Sequence, residues 1–565
     1  MSPSSSARSA VAAYAASVLS VALAGCSQEI GVVAPEVPLA EGEGDGDLEG
    51  DCASFDPGPA LLRRLTPLEV TRTVEQITGV ALSPQARAGL PLDVALPGLL
   101  ENDVSLQNMS EQFADGMGLI AEEAASGVDL SAFVGCSFRA GDGSADEDCH
   151  RQLIEAVGPL AFRRPLEAAE VDRLMALAQA APDWSDATIV EGSGRVLVSA
   201  MLQSPQFLFR AEFKRDTEGT DAEVVPLNGY ELAARLSFSL WGEGPDAELL
   251  RTAASGGLDT TAGIAAVVDS MIHDPRADAQ RRELALAMFG FGDIDHLGPN
   301  ADQAGDLAAL VPAIREAAKE EIRLLGSEVL GPDGDARQLL RADYVNVNGP
   351  LAQAYDIDGV DPADDVFRRM PVPTSGERGG ILASAAYFLL GSHAGEPSDT
   401  VRGKFVRQTL MCGPRLQPPA NATEVEMMNG PGTRMTLPSC AACHRSMDPI
   451  GYGLAHYDSL GRLVDSEVRD DGYFFDENTG EEIPLAGPHA LADLLLSRDE
   501  WSQCLVQRTF QWVNGHAARP EDGCALQAAH DAFVDGDFRG SALFTSVLTH
   551  DAQRFRRAAG PAPTP

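Results

Sequence analysis

The sequence predicts a mainly α, multi-domain helical protein with long loops. Three observations lead there. Capped runs with apolar residues at helical spacing recur along the 565 residues. Alternating apolar and polar runs of strand type are few and short. The chain is also too long for one compact core, so several domains or subdomains are expected. Hydrophobic residues make up 44% of it and charged residues 22%, which is enough to bury cores and argues against general disorder.

The elements follow in order. Thr66-Pro67-Leu68-Glu69 is a capping box with proline at the first helical position. The helix it opens carries Val70, Val74 and Ile77 at helical spacing and stops at Gly79. Asn228-Gly229-Tyr230-Glu231 is a second cap, followed by Leu232, Leu236 and Leu240 and ending near Gly242. Pro312–Leu325 reads as a further helix, with proline at its start and Gly326 at its stop. Trp501–Val513 reads the same way. Long loops are expected around 285–300 and 410–440. Trp241, Trp501 and Trp512 lie on apolar helical stretches and are assigned to the core. Arg163-Arg164, ahead of Pro165, is expected to pair with carboxylates at a surface or domain interface.

The N-terminus reads as an export signal. Arg8 is its only early charge, and the apolar stretch Val11–Ala24 is too short for a stable membrane span. Leu23-Ala24-Gly25-Cys26 is similar to a bacterial lipoprotein cleavage site, which implies that Cys26 is lipidated. From about Ile30 to Asp51 the composition is Gly, Glu, Asp and Pro, as expected of a flexible tether. The expected location is the cell envelope, lipid-anchored at the outer membrane and facing the periplasm or the surface. The net charge is −42, from 42 Lys and Arg against 84 Asp and Glu, and such a surface repels phosphate backbones. Nucleic acid is therefore excluded as a main partner.

Nine cysteines are present. Setting aside Cys26 and the pair Cys440 and Cys443 leaves an even set, as disulfides in an oxidising compartment require. Sequence neighbours suggest Cys136–Cys149 and Cys504–Cys524, which leaves Cys52–Cys412.

Cys440-Ala441-Ala442-Cys443-His444 carries the chemistry. Two thiols three positions apart each add across a haem vinyl group, and the next residue, His444, binds the iron. One covalent haem c is the expected cofactor. A zinc half-site would need a second close ligand pair, and no second C-x-x-C exists. A redox dithiol would sit in a βαβ context, which is missing here. A Cys440–Cys443 disulfide would close a very short, strained loop.

The sixth iron ligand has several candidates. Met447 falls on the same side as His444 if the helix continues. Reaching the opposite face would need a sharp break, which Asp448-Pro449 would begin. His393, His456, Met411, Met427, Met428 and Met435 are alternatives, and an open sixth position would admit peroxide chemistry. Asp448 itself is read as a loop cap, with a hydrogen bond near the haem edge as the alternative. No Ser-His-Asp spacing, phosphate-binding glycine loop or H-E-x-x-H pattern is found.

The run from Cys440 through Arg445-Ser446-Met447-Asp448-Pro449-Ile450-Gly451-Tyr452-Gly453-Leu454, then His456-Tyr457-Asp458-Ser459-Leu460-Gly461-Arg462, resembles the planctomycete-type cytochrome c segment. That segment occurs in large multi-domain proteins of planctomycetes and myxobacteria. Arg378–Leu382 and Thr400–Arg407 resemble its lead-in, which makes His393 the first candidate for a distal ligand. Leu61–Gly79, Ala161–Ala176, Gln203–Leu208, Leu227–Trp241 and Ser502–Pro520 resemble the companion helical domains. The resemblance implies haem and architecture and assigns no reaction to the companions.

The expected division is a signal peptide over 1–25, an acidic tether over 26–59 and helical domains over 60–150, 151–222 and 223–360. A cytochrome c-like haem segment over 361–475, a helical domain over 476–558 and a disordered tail over 559–565 complete it. The expected function is electron transfer to a redox partner protein or exported enzyme. A peroxidase-like haem oxidoreductase with an open distal site is the rival, and a helical surface-binding scaffold with structural haem is a third reading.

Overall fold

The computed structural model describes residues 57, 61–93, 99–134, 143–180, 189–212, 224–372, 377–415, 434–464 and 471–557. Their architecture is mainly helical, with five two-stranded antiparallel sheets. Cys26, Cys52, Cys136, Met427 and Met428 lie outside the described residues. Among the described residues, no helix is long and apolar enough to cross a membrane.

Helices begin where the caps stand. The Thr66 hydroxyl accepts from the Glu69 amide, and the Glu69 carboxylate accepts from the Thr66 amide. The helix Pro67–Thr78 follows and ends at Gly79, whose φ of 69° is left-handed. Asn228 and Glu231 make the same exchange ahead of Gly229–Leu240. Asp499–Asn514 covers the run around Trp501–Val513 and ends at a left-handed Gly515. Trp241, Trp501 and Trp512 are all buried.

Two helix limits differ from expectation. The helix Val311–Val329 runs through Gly326 instead of stopping there. A Cβ at Gly326 would collide with that of Ala285, so this glycine serves close helix packing and not termination. Ala285 belongs to the helix Pro275–Phe289, which takes up the first part of the expected 285–300 loop.

The buried residues form two cores. One gathers Leu65 through Leu208. The other takes Leu100 and runs from Leu227 to Ala552, including the elements on both sides of the Cys440–His444 motif. Gly229–Leu240 is the wall between them. Its Leu232, Ala233, Leu236 and Leu240 face the larger core, while Ala234 and Phe238 face the smaller. A helix that is apolar on both faces is buried all round, as this one is. Phe555–Arg557 pairs antiparallel with Val224–Pro226, so the last described strand closes onto the start of the larger core.

Disulfide pairing departs from the reading by sequence distance. Cys412 is bonded to Cys504, 92 residues away, with Cα atoms 5.2 Å apart. This overturns both Cys504–Cys524 and Cys52–Cys412. Cys504 and Cys524 lie on different helices, and packing, not chain separation, decides which thiols come within bonding reach. Cys149 and Cys524 are also disulfide-bonded. The proposed partner of Cys149, Cys136, is outside the described residues.

The Arg163-Arg164 expectation holds for one residue only. Arg164 pairs with Glu170 at 2.8 Å. Arg163 is buried and donates to the backbone carbonyls of Gln206, Phe207 and Phe209. It has a left-handed φ of 58°, which turns the chain so that the guanidinium enters the interior.

Candidate functional site

The motif sits on one helix, Pro438–Tyr452, opened by a proline in its first turn. Helical geometry puts Cys440 and His444 four positions apart on one face, with Cys443 beside them. Both thiols are unbonded and half-buried. His444 is also half-buried, while the helix from Ser446 to Tyr452 is buried.

Asp448 lies one turn beyond His444. It is buried, and both carboxylate oxygens lie 3.0 Å from His444 Nδ1. The Thr400 hydroxyl donates to Asp448 Oδ1 at 2.7 Å. Asp448 is thus not the loop cap expected from its place before proline. It is a mid-helix residue that fixes the imidazole through Nδ1–H and leaves the lone pair on Nε2 as acceptor or metal ligand. The signal was legible, since a carboxylate four residues after a histidine reaches it on a helix.

The break that an opposite-face Met447 would need at Asp448-Pro449 is not there. The helix continues through Pro449 to Tyr452. Met447 is buried on this continuous helix, with its backbone against Gly403. It therefore stays on the His444 side, and the route proposed for it to an opposite iron face is not formed. His393 is exposed on a short hairpin, Ser392–His393 with Glu396–Pro397. Among the described residues, no hydrogen bond or ion pair joins it to the motif helix; the hairpin is held instead by Gln303, which donates to Glu396 at 2.6 Å. His456 is exposed, Met411 packs against the larger core and Met435 is partly buried.

A second short helix, Asp399–Phe405, straps the motif helix. The approach is close enough that a Cβ on Gly403 would strike the Met447 carbonyl, and one on Gly451 would strike Asp399. Arginines then lock the surroundings. Arg402 is fully buried and donates to the carbonyls of Leu454 and Tyr457, each at 2.8 Å, and of Asp458 at 3.1 Å. Arg378 donates to Ala383 and Gly461. Arg407 donates to the Ser446 carbonyl at 3.1 Å and lies 3.9 Å from the Phe474 ring centroid. The lead-in segments thus hold the middle of the motif helix and the loop that follows it by side chain to backbone bonds. Among the described residues, no group of three or more His, Cys, Asp or Glu side chains converges to hold a metal ion.

Three family models match the chain. Residues 149–212 match PSD5, a protein of unknown function (DUF1595). Residues 227–357 match PSD4, a protein of unknown function (DUF1592). Residues 378–467, which include Cys440, Cys443 and His444, match PSCyt3, a protein of unknown function (DUF1588). No curated protein and no solved structure matches the chain. With these three domains in order, the protein belongs to the planctomycete cytochrome-c-associated PSD and PSCyt domain families.

Proposed function

We propose that this protein is an exported, lipid-anchored monohaem c-type cytochrome acting in electron transfer, with His444 as the proximal iron ligand. The observation that carries the reading is the state of the motif. Cys440 and Cys443 are unbonded in a chain whose Cys149, Cys412, Cys504 and Cys524 are all disulfide-bonded. Beside them His444 is oriented by a buried carboxylate. An imidazole that ligates a metal commonly gives its other ring N–H to such a partner, which fixes the tautomer and raises ligand basicity. The haem, when bound, supplies one-electron exchange at its iron. Cys26 would tether the chain through its lipid, with the 26–59 segment as spacer.

The test is co-expression with a c-haem maturation system, then haem staining on a denaturing gel and a reduced absorption spectrum. Wild type is expected to carry covalent haem and the Cys440→Ala/Cys443→Ala variant none. Unstained wild type beside a matured control cytochrome would overturn the reading. The anchor has its own test. Cys26→Ala is expected to release the protein from membranes, and continued tight membrane association counts against lipidation.

A second reading, a peroxidase-like oxidoreductase with an open distal site, is favoured by one observation. The carboxylate on His444 makes the ring a stronger electron donor, and neither Met447 nor His393 is presented as an opposing ligand. High-spin iron that binds carbon monoxide and turns over peroxide would select it over electron transfer.

A further inference from the structure

The chain as a whole is acidic, with 84 Asp and Glu against 42 Lys and Arg. The stretch from Thr400 to Met447, bounded by Asp399 and Asp448, reverses that balance. It holds Arg402, Lys404, Arg407, Arg415, Arg434 and Arg445 against Glu424 and Glu426. Both glutamates lie outside the described residues. Thr400–Arg415 and Arg434–Met447 therefore carry six cations and no carboxylate.

The fold brings these cations to the half of the motif helix that bears the cysteines. Asp399 packs at Gly451, Thr400 bonds to Asp448 and Gly403 packs at Met447, so the strap and the motif helix run antiparallel. Lys404 follows Thr400 by one turn on the same face, beside the turn that carries His444. It is exposed. Arg407 reaches the Ser446 carbonyl, a neutral acceptor that leaves its charge in place. Arg415 is exposed and acts on Arg508, which donates to the Gln408 carbonyl at 3.2 Å. Burial first, then Arg415, pushes Arg508 down to about 10, so it stays cationic near neutrality.

Carboxylates do not cancel this face. Among the described residues, neither Lys404 nor Arg415 forms an ion pair. On the neighbouring hairpin, Tyr473–Phe475 with Glu482–Pro484, Glu482 is committed to Arg445 at 3.1 Å. Asp476 is committed to Arg498 at 2.8 Å. The hairpin turn leaves Glu477 and Glu481 exposed, so the positive side is that of the strap and not that of the hairpin.

We propose that the strap side of the motif helix, around Lys404 and Arg415, is the docking surface for an acidic protein partner. That the partner exchanges electrons rests on the electron-transfer reading; the charge of the surface does not. The rest of a chain of net charge −42 repels such a partner, while this face attracts it and sets its orientation at Cys440–His444. A flat anionic bilayer fits less well, because it would also meet Glu477 and Glu481.

The experiment is thiol labelling of the full chain prepared without haem maturation. Cys440 and Cys443 are unbonded and half-buried, so they report on this face directly. Neutral iodoacetamide is the label, peptide mass spectrometry the readout and poly-L-glutamate the probe. The probe is expected to slow labelling of both thiols about tenfold at low ionic strength, and screening should remove the effect at high salt. Lys404→Glu/Arg415→Glu, at two exposed positions, is expected to unfold at the wild-type midpoint and to lose the protection. Lys404→Gln, a milder change, should lose part of it. Unprotected wild type, or equal protection in the double variant, would overturn the proposal. Protection by phosphatidylglycerol vesicles and not by poly-L-glutamate would also overturn it and assign a membrane surface. Haem staining of the matured chain decides the electron-transfer reading separately, so protection without covalent haem keeps the docking surface and removes its redox role.

Discussion

Arg402 and Arg210 are both buried arginines, and they differ in what meets their N–H groups. Arg402 bonds to three backbone carbonyls that follow the motif helix. Arg210 faces another arginine and a carboxylate 3.7 Å away, with Nη2 unmet among the described residues. The first guanidinium is a structural staple whose donors complete a loop. The second lies among side-chain charges, between Arg63 and Glu69. Burial alone does not separate the two cases; the inventory of partners does.

The largest expected effect tests that contrast. Arg402→Met removes a donor from three carbonyls at once and should lower unfolding free energy by roughly 3–5 kcal/mol. Arg210→Met should change it by less than about 1 kcal/mol, because it also relieves the repulsion with Arg63. Urea denaturation of both variants checks this, and equal losses would erase the distinction.

Gly403→Ala comes next. The added methyl meets the Met447 carbonyl, and a cost of about 1–3 kcal/mol is expected for such overpacking. Strap and motif helix would separate, so the Thr400–Asp448 bond should loosen as well. Chemical denaturation reads the first effect. Slower exchange broadening, or an altered chemical shift, of the His444 ring by NMR reads the second, and an unperturbed ring would limit the strap to a packing role.

Asp448→Asn should change stability less but alter the site more. It replaces the charged partner of His444 with a neutral one of the same shape. If the haem reading holds, the reduction midpoint should move positive, because a less basic ligand favours ferric iron less. Potentiometric titration beside Thr400→Val, expected to shift it less and in the opposite direction because the carboxylate loses a donor and accepts more strongly from His444, checks the order. An unmoved midpoint would reduce Asp448 to a helix-packing residue.

The last effect is a pH dependence at Glu321, close to the other staple arginine, Arg378. Arg378 is committed to carbonyls, so it does not pair with this carboxylate. Burial pushes Glu321 up to about 8, although Tyr355 donates to it at 2.6 Å. The folded state holds the proton where the unfolded chain, near the ordinary 4.5, has lost it. Stability from this group is therefore full below about 4.5 and falls as pH rises towards 8. Glu321→Gln should flatten that part of the stability profile, and an unchanged slope across the window would show that the group ionises normally.

Legibility in the sequence followed locality. The capping boxes at Thr66 and Asn228 were readable because all their bonds fall within three residues. Gly326 misled because a glycine that ends a helix and one that admits a neighbouring helix look alike until Ala285 is in place. Asp448 misled because the following proline suggested a turn, while tertiary packing keeps Asp448 and Pro449 within one helix. The cysteine pairing by nearness failed for Cys504 because its partner arrives from a different packed element. Arg63 and Arg163 stood in segments read as family motifs, yet nothing in their spacing placed Arg63 opposite Arg210.

The sequence by itself determined the helical class, the main helix starts, the family to which the segments belong and the adjacency of Cys440, Cys443 and His444. These depend on short-range geometry and on residue identity, which the chain order contains. Tertiary structure alone decided the Cys412–Cys504 bond, the strap across the motif helix, the Thr400 hydrogen bond to Asp448 and the placing of Arg63 opposite Arg210. Each of these needs side chains brought together from distant segments. Their meeting is set by how apolar faces are buried, and no local pattern encodes it.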